Sequence, residues 1–233
     1  MKIIEFLGDS NAGKTFLFKK VNLKYNKKNL YTYKLIFYYF LLRKNKISYF
    51  KYILIKFLIV NEVGKSKNFI IKILGNFYFK IEENLKIEKK KIIKKVNKKY
   101  KKFIFFYNIL LSQLTNEDEQ SKLRKWMMDV LIGHYLSTKK HYNGILLAPE
   151  GIYQRIFSLY NRSNISNQNL KKLVFLSPKI DQVFLIKKKN KKMIKIDKIF
   201  TLIKKKKIDS SIIYNKKNFE NNLKIIIKNF KIK

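Results

Sequence analysis

Gly8-Asp9-Ser10-Asn11-Ala12-Gly13-Lys14-Thr15 lies between an apolar run, Ile3-Ile4-Glu5-Phe6-Leu7, and Phe16-Leu17-Phe18-Lys19-Lys20. It fits the pattern Gly-x-x-x-x-Gly-Lys-Ser/Thr, in which a strand feeds a glycine-bounded loop that opens a helix. Glycines tolerate backbone angles that other residues resist, so successive N–H groups can curl around an anion. The positive end of the following helix faces the same anion. Only 7 of the 233 residues are glycine, so two of them falling at this spacing is an informative coincidence. The stretch therefore predicts a phosphate-binding loop. The backbone from Gly8 through Asp9, Ser10, Asn11, Ala12 and Gly13 would cradle the phosphates, Lys14 would reach the β- and γ-phosphates, and the Thr15 hydroxyl would bind Mg²⁺. Asp9, inside the loop, is placed to touch a substrate.

Outward from this loop, residues 2–7 read as a buried central strand and residues 13–24 as the first helix. Residues 30–60 are dense in Tyr, Phe, Leu and Ile, and periodicity leaves Leu35 to Leu42 open between a buried helix and a strand. Gly64-Lys65-Ser66 imitates the end of a phosphate loop, but position 59 is Ile where the first glycine belongs, so it reads as a decoy. Residues 86–107 read as one amphipathic helix, with Ile92, Val96, Tyr100, Phe103 and Tyr107 on one face and lysines on the other. Asn116-Glu117-Asp118-Glu119 opens a further helix through Trp126, Met127, Val130, Leu131 and Tyr135, since acids suit a helix N-terminus. Residues 144–148 read as a short buried strand and 151–160 as a helix.

Composition bounds the function classes. With no Cys, disulfides, thiolate metal sites and cysteine catalysis are excluded, and two His, His134 and His141, are too few for a His-based zinc centre or His catalysis. Met1 to Leu7 is too short for a secretory signal and carries Glu5, so none is expected, and Leu35 to Leu42 falls far short of the roughly 18 residues a spanning helix needs. A soluble, cytoplasmic protein is expected. The formal charge is +39, with 54 Lys and Arg against 15 Asp and Glu. Nucleic acid or an anionic membrane surface is one reading of that charge. The other is mutational bias in an AT-rich genome: Lys, Ile, Asn, Phe and Tyr abound, whereas Arg occurs only at 43, 124, 155 and 162 and Ala only at 12 and 148. Polyanion binders keep Arg for bidentate phosphate contacts, so here the lysines are expected to be spread over solvated faces.

A triphosphate site of this kind takes a second strand end facing the metal, formed by apolar residues followed by an acid. Ile145-Leu146-Leu147-Ala148-Pro149-Glu150-Gly151 is the one good candidate, continuing as Ile152-Tyr153-Gln154-Arg155. With Gly8 to Thr15, this stretch resembles the P-loop nucleotide-binding proteins, in particular the small kinase-like members related to thymidylate kinase. In those a strand ends in Asp-Glu-Gly with an Arg a few residues on. Glu150-Gly151 and Gln154-Arg155 match that form, and Pro149 stands where the Asp is expected. Further along, Leu170 to Leu176 would be a helix ended near Pro178, and Asp181 to Ile186 the next strand. The basic lid that follows in the family would correspond to residues 187–207, here rich in Lys and without Arg.

The resemblance implies a three-layer α/β P-loop fold with a mostly parallel sheet and helices on both faces, ATP or GTP with Mg²⁺, and phosphoryl transfer. Residues 1–233 would be one nucleotide-binding domain, with a basic helical insertion or lid-like region at 86–107 and the basic lid at 187–207. Lys14 would act with Glu150 and Arg155: Glu150 as a metal-side acid or simply a helix N-terminal acid, Arg155 aimed at phosphate or held in a salt bridge. Trp126 reads as a packing residue rather than a base-stacking platform. Three functions stay open: a kinase-type enzyme acting on a small acceptor, a nucleotide-binding switch without efficient chemistry, and a basic protein that binds RNA or another polyanion.

Overall fold

The structure, a computed structural model, describes residues 1–9, 12–25, 30–60, 85–139, 142–187, 194–214 and 219–228. Its centre is β1 (Lys2–Gly8), buried along nearly its whole length. Being buried on both faces, such a strand reads as a continuous apolar run rather than an alternating one. β3 (Ile145–Ala148) and β4 (Gln182–Lys187) flank it in parallel, β2 (Leu30–Tyr31) lies outside β3, and β5 (Asp209–Tyr214) outside β4. The sheet is all-parallel, in the order β2-β3-β1-β4-β5. The register sets Lys2 against Ile145 and Glu5 against Ala148 on one side, and Ile4 against Gln182 and Gly8 against Ile186 on the other.

Because strand side chains alternate, each strand feeds two cores. Ile4, Phe6, Ile145, Leu147, Phe184 and Ile186 turn to one face. There they meet Leu17, Phe18 and Val21 of α1 (Lys14–Tyr25) and Ile226 of α10 (Phe219–Lys228). Ile3, Leu7, Leu146, Ala148, Val183 and Leu185 turn to the other face, into a larger cluster. That cluster is built with α2 (Tyr33–Arg43), α3 (Tyr49–Val60), α4 (Lys86–Lys99), α5 (Lys101–Leu111), α6 (Glu117–Ser137), α7 (Ile152–Arg162), α8 (Asn167–Leu176) and α9 (Ile194–Lys205). The expected α/β class with a parallel sheet and helices on both faces is thus present, although the helices divide unequally between the faces.

Several local expectations meet their elements. Leu35 to Leu42, which periodicity left open between helix and strand, is helical, started by Thr32, whose Oγ1 accepts from the Leu35 N–H at 3.0 Å. Asn116 caps α6 in the same way, its Oδ1 accepting from the Glu119 N–H at 2.9 Å. The 86–107 helix is corrected to two, α4 and α5, broken at Tyr100. All five residues of its expected apolar face are nevertheless buried, because the break preserves the direction of the stripe. The region is part of the main core.

Of the basic lid expected at 187–207, Lys187 ends β4 and residues 194–205 form α9, which packs Ile196, Ile199, Phe200 and Ile203 into that core. The lysine run at 188–192 lies outside the described residues, as do the Gly64-Lys65-Ser66 decoy and His141. Exposed lysines stand on α4, α5, α8 and α9 alike. Among the described residues, no helix is long and apolar enough to cross a membrane.

Candidate functional site

The 8–15 loop leaves the sheet at the C-terminal end of β1. Gly13 adopts φ 92°, a left-handed conformation that favours glycine, and the chain then enters α1 at Lys14. Ala12 is buried beneath the loop, and its N–H donates to the Asp9 carbonyl at 3.1 Å. Lys14 folds back over the turn: its Nζ donates to the carbonyls of Gly8 at 2.7 Å and Asp9 at 2.8 Å. Burial lowers its pKa, against the pull of the nearby Glu150 and Asp9 carboxylates and with a smaller push from Arg155. Ser10 and Asn11 lie outside the described residues.

β3 ends one strand over, at Ala148, level with Glu5 of β1. The 149–151 turn then leads into α7. Helix α1 packs on one face of the sheet and α7 on the other, so the two loops part where their chains diverge, and a crevice opens between them. This cleft, of about 380 Å³, is lined by Thr15 and Phe18 from α1, Thr32, Tyr33 and Lys34 at the start of α2, Trp126, Asp129 and Val130 from α6, Pro149 and Glu150 from the turn, and Arg155 from α7.

Glu150 and Thr15 thus share a cleft, but the Glu150 carboxylate accepts from Arg155 Nη2 at 2.8 Å. The acid is half exposed, at 53%, while Arg155 is sunk to 13%. The guanidinium carbon lies 4.7 Å from the centre of the Trp126 ring, a cation–π stack. Arg155 Nε is buried without a hydrogen-bond partner. Trp126 packs against the main core, as expected, and also lines the cleft. Among the described residues no three His, Asp or Glu side chains gather as a metal site. Thr15 and Glu150 offer one hydroxyl and one carboxylate, a set that suits Mg²⁺ arriving with phosphate oxygens rather than a metal held by protein alone.

Sequence reasoning missed Glu5 and Gln154. Glu5 is wholly buried in the middle of β1. Its Oε1 accepts from the Ile152 N–H at 2.8 Å and the Tyr33 hydroxyl at 2.6 Å, and its Oε2 from the Tyr153 N–H at 3.1 Å. α7 has no side-chain cap of its own and no acid in its first turn, so this remote carboxylate serves as its anion. Burial raises the Glu5 pKa, although Tyr33, the two N–H groups and Lys206 each pull it down. Gln154 ties the same pieces in the other direction: its Oε1 accepts from the Gly8 N–H at 3.1 Å. The available signal was an acid inside an apolar strand run, since a buried charge demands partners.

His134, set aside for catalysis, is part of the packing. The Tyr100 hydroxyl bonds to its Nδ1 at 2.7 Å, and its Nε2 donates to the Lys179 carbonyl at 2.8 Å. Burial lowers its pKa to about 4, so the ring is neutral near pH 7.

No protein-family model, no curated protein and no solved structure matches the chain.

Proposed function

We propose that the protein binds a nucleoside triphosphate, ATP or GTP, with Mg²⁺ at the 8–15 loop, as a P-loop protein. We further propose that it transfers the terminal phosphoryl group to a small acceptor in the adjoining cleft. The observation that carries this reading is the meeting of two loops from adjacent parallel strands. One brings Thr15, the other Glu150 and, through α7, Arg155, into the lining of a single crevice, and Lys14, next to Thr15, feels the charges of Glu150 and Arg155. Ligands of open parallel sheets bind in such crevices.

Each residue has a chemical task on this reading. Lys14 already points its ammonium into the turn, and phosphate oxygens would take over from the carbonyls of Gly8 and Asp9. Thr15 and Glu150 stand on the metal side. Mg²⁺, when bound with the triphosphate, would neutralise charge on its terminal oxygens. Arg155 would exchange Glu150 for the transferring phosphoryl group, and its unpaired Nε supplies a further donor.

The test is calorimetry of MgATP and MgGTP binding to the unsubstituted protein and to Lys14→Ala. Charge-assisted hydrogen bonds contribute about 1.5–3 kcal/mol each, so affinity should fall about 10- to 150-fold while the fold persists. Equal affinities would remove the assignment. A specific observation favours a second reading, a nucleotide-binding switch without efficient transfer: Pro149 has no side-chain oxygen for a metal-bound water, and Glu150 is engaged by Arg155. Binding without turnover across a panel of small acceptors would select it.

A further inference from the structure

Two helices converge on one buried carboxylate of the strand that delivers the 8–15 loop. Glu5 lies three residues before Gly8 on β1 and takes hydrogen bonds from the first turn of α7 and from Tyr33 of α2. Gln154 of α7 returns a bond to the Gly8 N–H. The two links form a reciprocal clamp between the strand that delivers the loop and the helix that carries Arg155. Tyr33 extends the clamp to the start of α2, where Thr32 and Lys34 line the cleft. Beyond α7, the Tyr153 hydroxyl meets Ser177 Oγ at 3.2 Å, and Lys206 Nζ donates to Ser177 Oγ at 2.9 Å and to the Ser177 and Val174 carbonyls.

Nothing else within α7's first turn does this work, because Gly151 precedes it and Glu150 is turned to Arg155. There is also no slack. A Cβ at Gly151 would fall 2.5 Å from Glu5 Cγ and closer still to Cδ and Oε1. The carboxylate therefore occupies one position, and α7 is seated on it.

We propose that Glu5 is a positioning residue for the cleft: by holding the α7 N-terminus and Tyr33 against the loop-bearing strand, it sets where Arg155 stands over Trp126. Its relevance to ligand binding rests on the nucleotide reading, but the placement of Arg155 does not, and it can be read without any ligand.

Trp126 is the single tryptophan of the chain, and the Arg155 guanidinium lies over its ring. Its emission therefore reports the position of Arg155. The reference is Arg155→Ala, which leaves the ring uncovered. Glu5→Gln keeps size and removes charge. The amide oxygen can retain either the two contacts made at Oε1 or the one made at Oε2, but the NH₂ then faces a backbone N–H, donor against donor. In Glu5→Gln with wild-type far-UV circular dichroism, Trp126 emission and acrylamide quenching should move to the Arg155→Ala values. Tyr33→Phe removes one contact of three and should move them part of the way. Wild-type emission and quenching in a folded Glu5→Gln protein would overturn the proposal. If Glu5→Gln does not fold, unchanged values in Tyr33→Phe overturn it instead. MgATP titration of the same variants separates the two readings: a loss in Glu5→Gln comparable to that in Arg155→Ala supports both. Absence of binding to the unsubstituted protein refutes the nucleotide reading alone, and the Trp126 result still decides the role of Glu5.

Discussion

Replacing Gly151 by Ala adds one methyl group and should cost more than almost any other change of that size in this chain. The backbone does not object. Gly151 has φ −95° and ψ −160°, an extended conformation open to any residue. Space is the obstacle, since the new Cβ would stand 2.5 Å from Glu5 Cγ, where apolar carbon contacts settle near 3.5–4.0 Å. Glu5 is wholly buried and cannot swing to solvent. Overpacking alone costs about 1–3 kcal/mol. Displacing the carboxylate also strands the N–H groups of Ile152 and Tyr153, at about 1–3 kcal/mol for each buried donor left unpaired. A loss of about 3–9 kcal/mol is expected, a large part of a typical domain's stability. Urea unfolding should register it, and the thermal midpoint should fall by about 10 °C or more. In a Glu5→Ala background the obstruction is gone and the donors are already unpaired, so the same substitution should cost less than about 1 kcal/mol. A cost under 1 kcal/mol in the wild-type chain, or equal costs in the two backgrounds, would refute the reasoning.

His134 should give the protein an acid-sensitive component. Its pKa is lowered from the ordinary value to about 4, so the neutral ring contributes stability above about pH 6.5 that is lost as pH falls through about 4. That component amounts to about 3 kcal/mol. His134→Gln offers an acceptor and a donor without titrating, so unfolding free energies from pH 7 to pH 4 should lose this component relative to wild type. A parallel pair of curves would count against it. The comparison with the variant is needed because the raised pKa of Glu5 acts with the opposite sign: its contribution is present below the ordinary carboxylate range and declines as pH rises through the elevated value. At the cleft, Glu150→Gln should lower any Mg²⁺-dependent turnover by about 10²-fold or more, the scale for a positioned acid–base group. Unaltered turnover would leave Glu150 as a surface partner of Arg155 only.

What the sequence reveals depends on how far apart the interacting residues are in the chain. The 8–15 loop is legible because its requirements are local: glycine at 13 for φ 92°, a strand before and a helix after. The α6 start is legible for the same reason, since Asn116 caps an N–H three residues away. The pairing of β3 with β1 is legible only through the resemblance, because nothing in either run names its neighbour. The break at Tyr100 escapes periodicity, since a stripe that keeps its direction looks unbroken. β5 escapes because its strand is mostly exposed and half polar, so it lacks the apolar run that marked β1, β3 and β4.

Glu5 marks the limit of such reading most sharply. In the strand run it is a charged residue in an apolar sequence, and alone it argues for an edge strand or a solvated position. Its partners are Tyr33, 28 residues on, and Ile152 and Tyr153, 147 and 148 residues on. Only the register of β1 against β3, which sets Glu5 level with Ala148, brings the α7 N–H groups over the carboxylate. The same register explains why a strand devoted to burial keeps an acid. Leu at this position would suit the sheet equally well, but it would leave two helix N–H groups and a tyrosine hydroxyl without an acceptor in the core. The acid is thus demanded by α7 rather than by β1. Because α7 also carries Arg155, a requirement of the core becomes a constraint on the cleft.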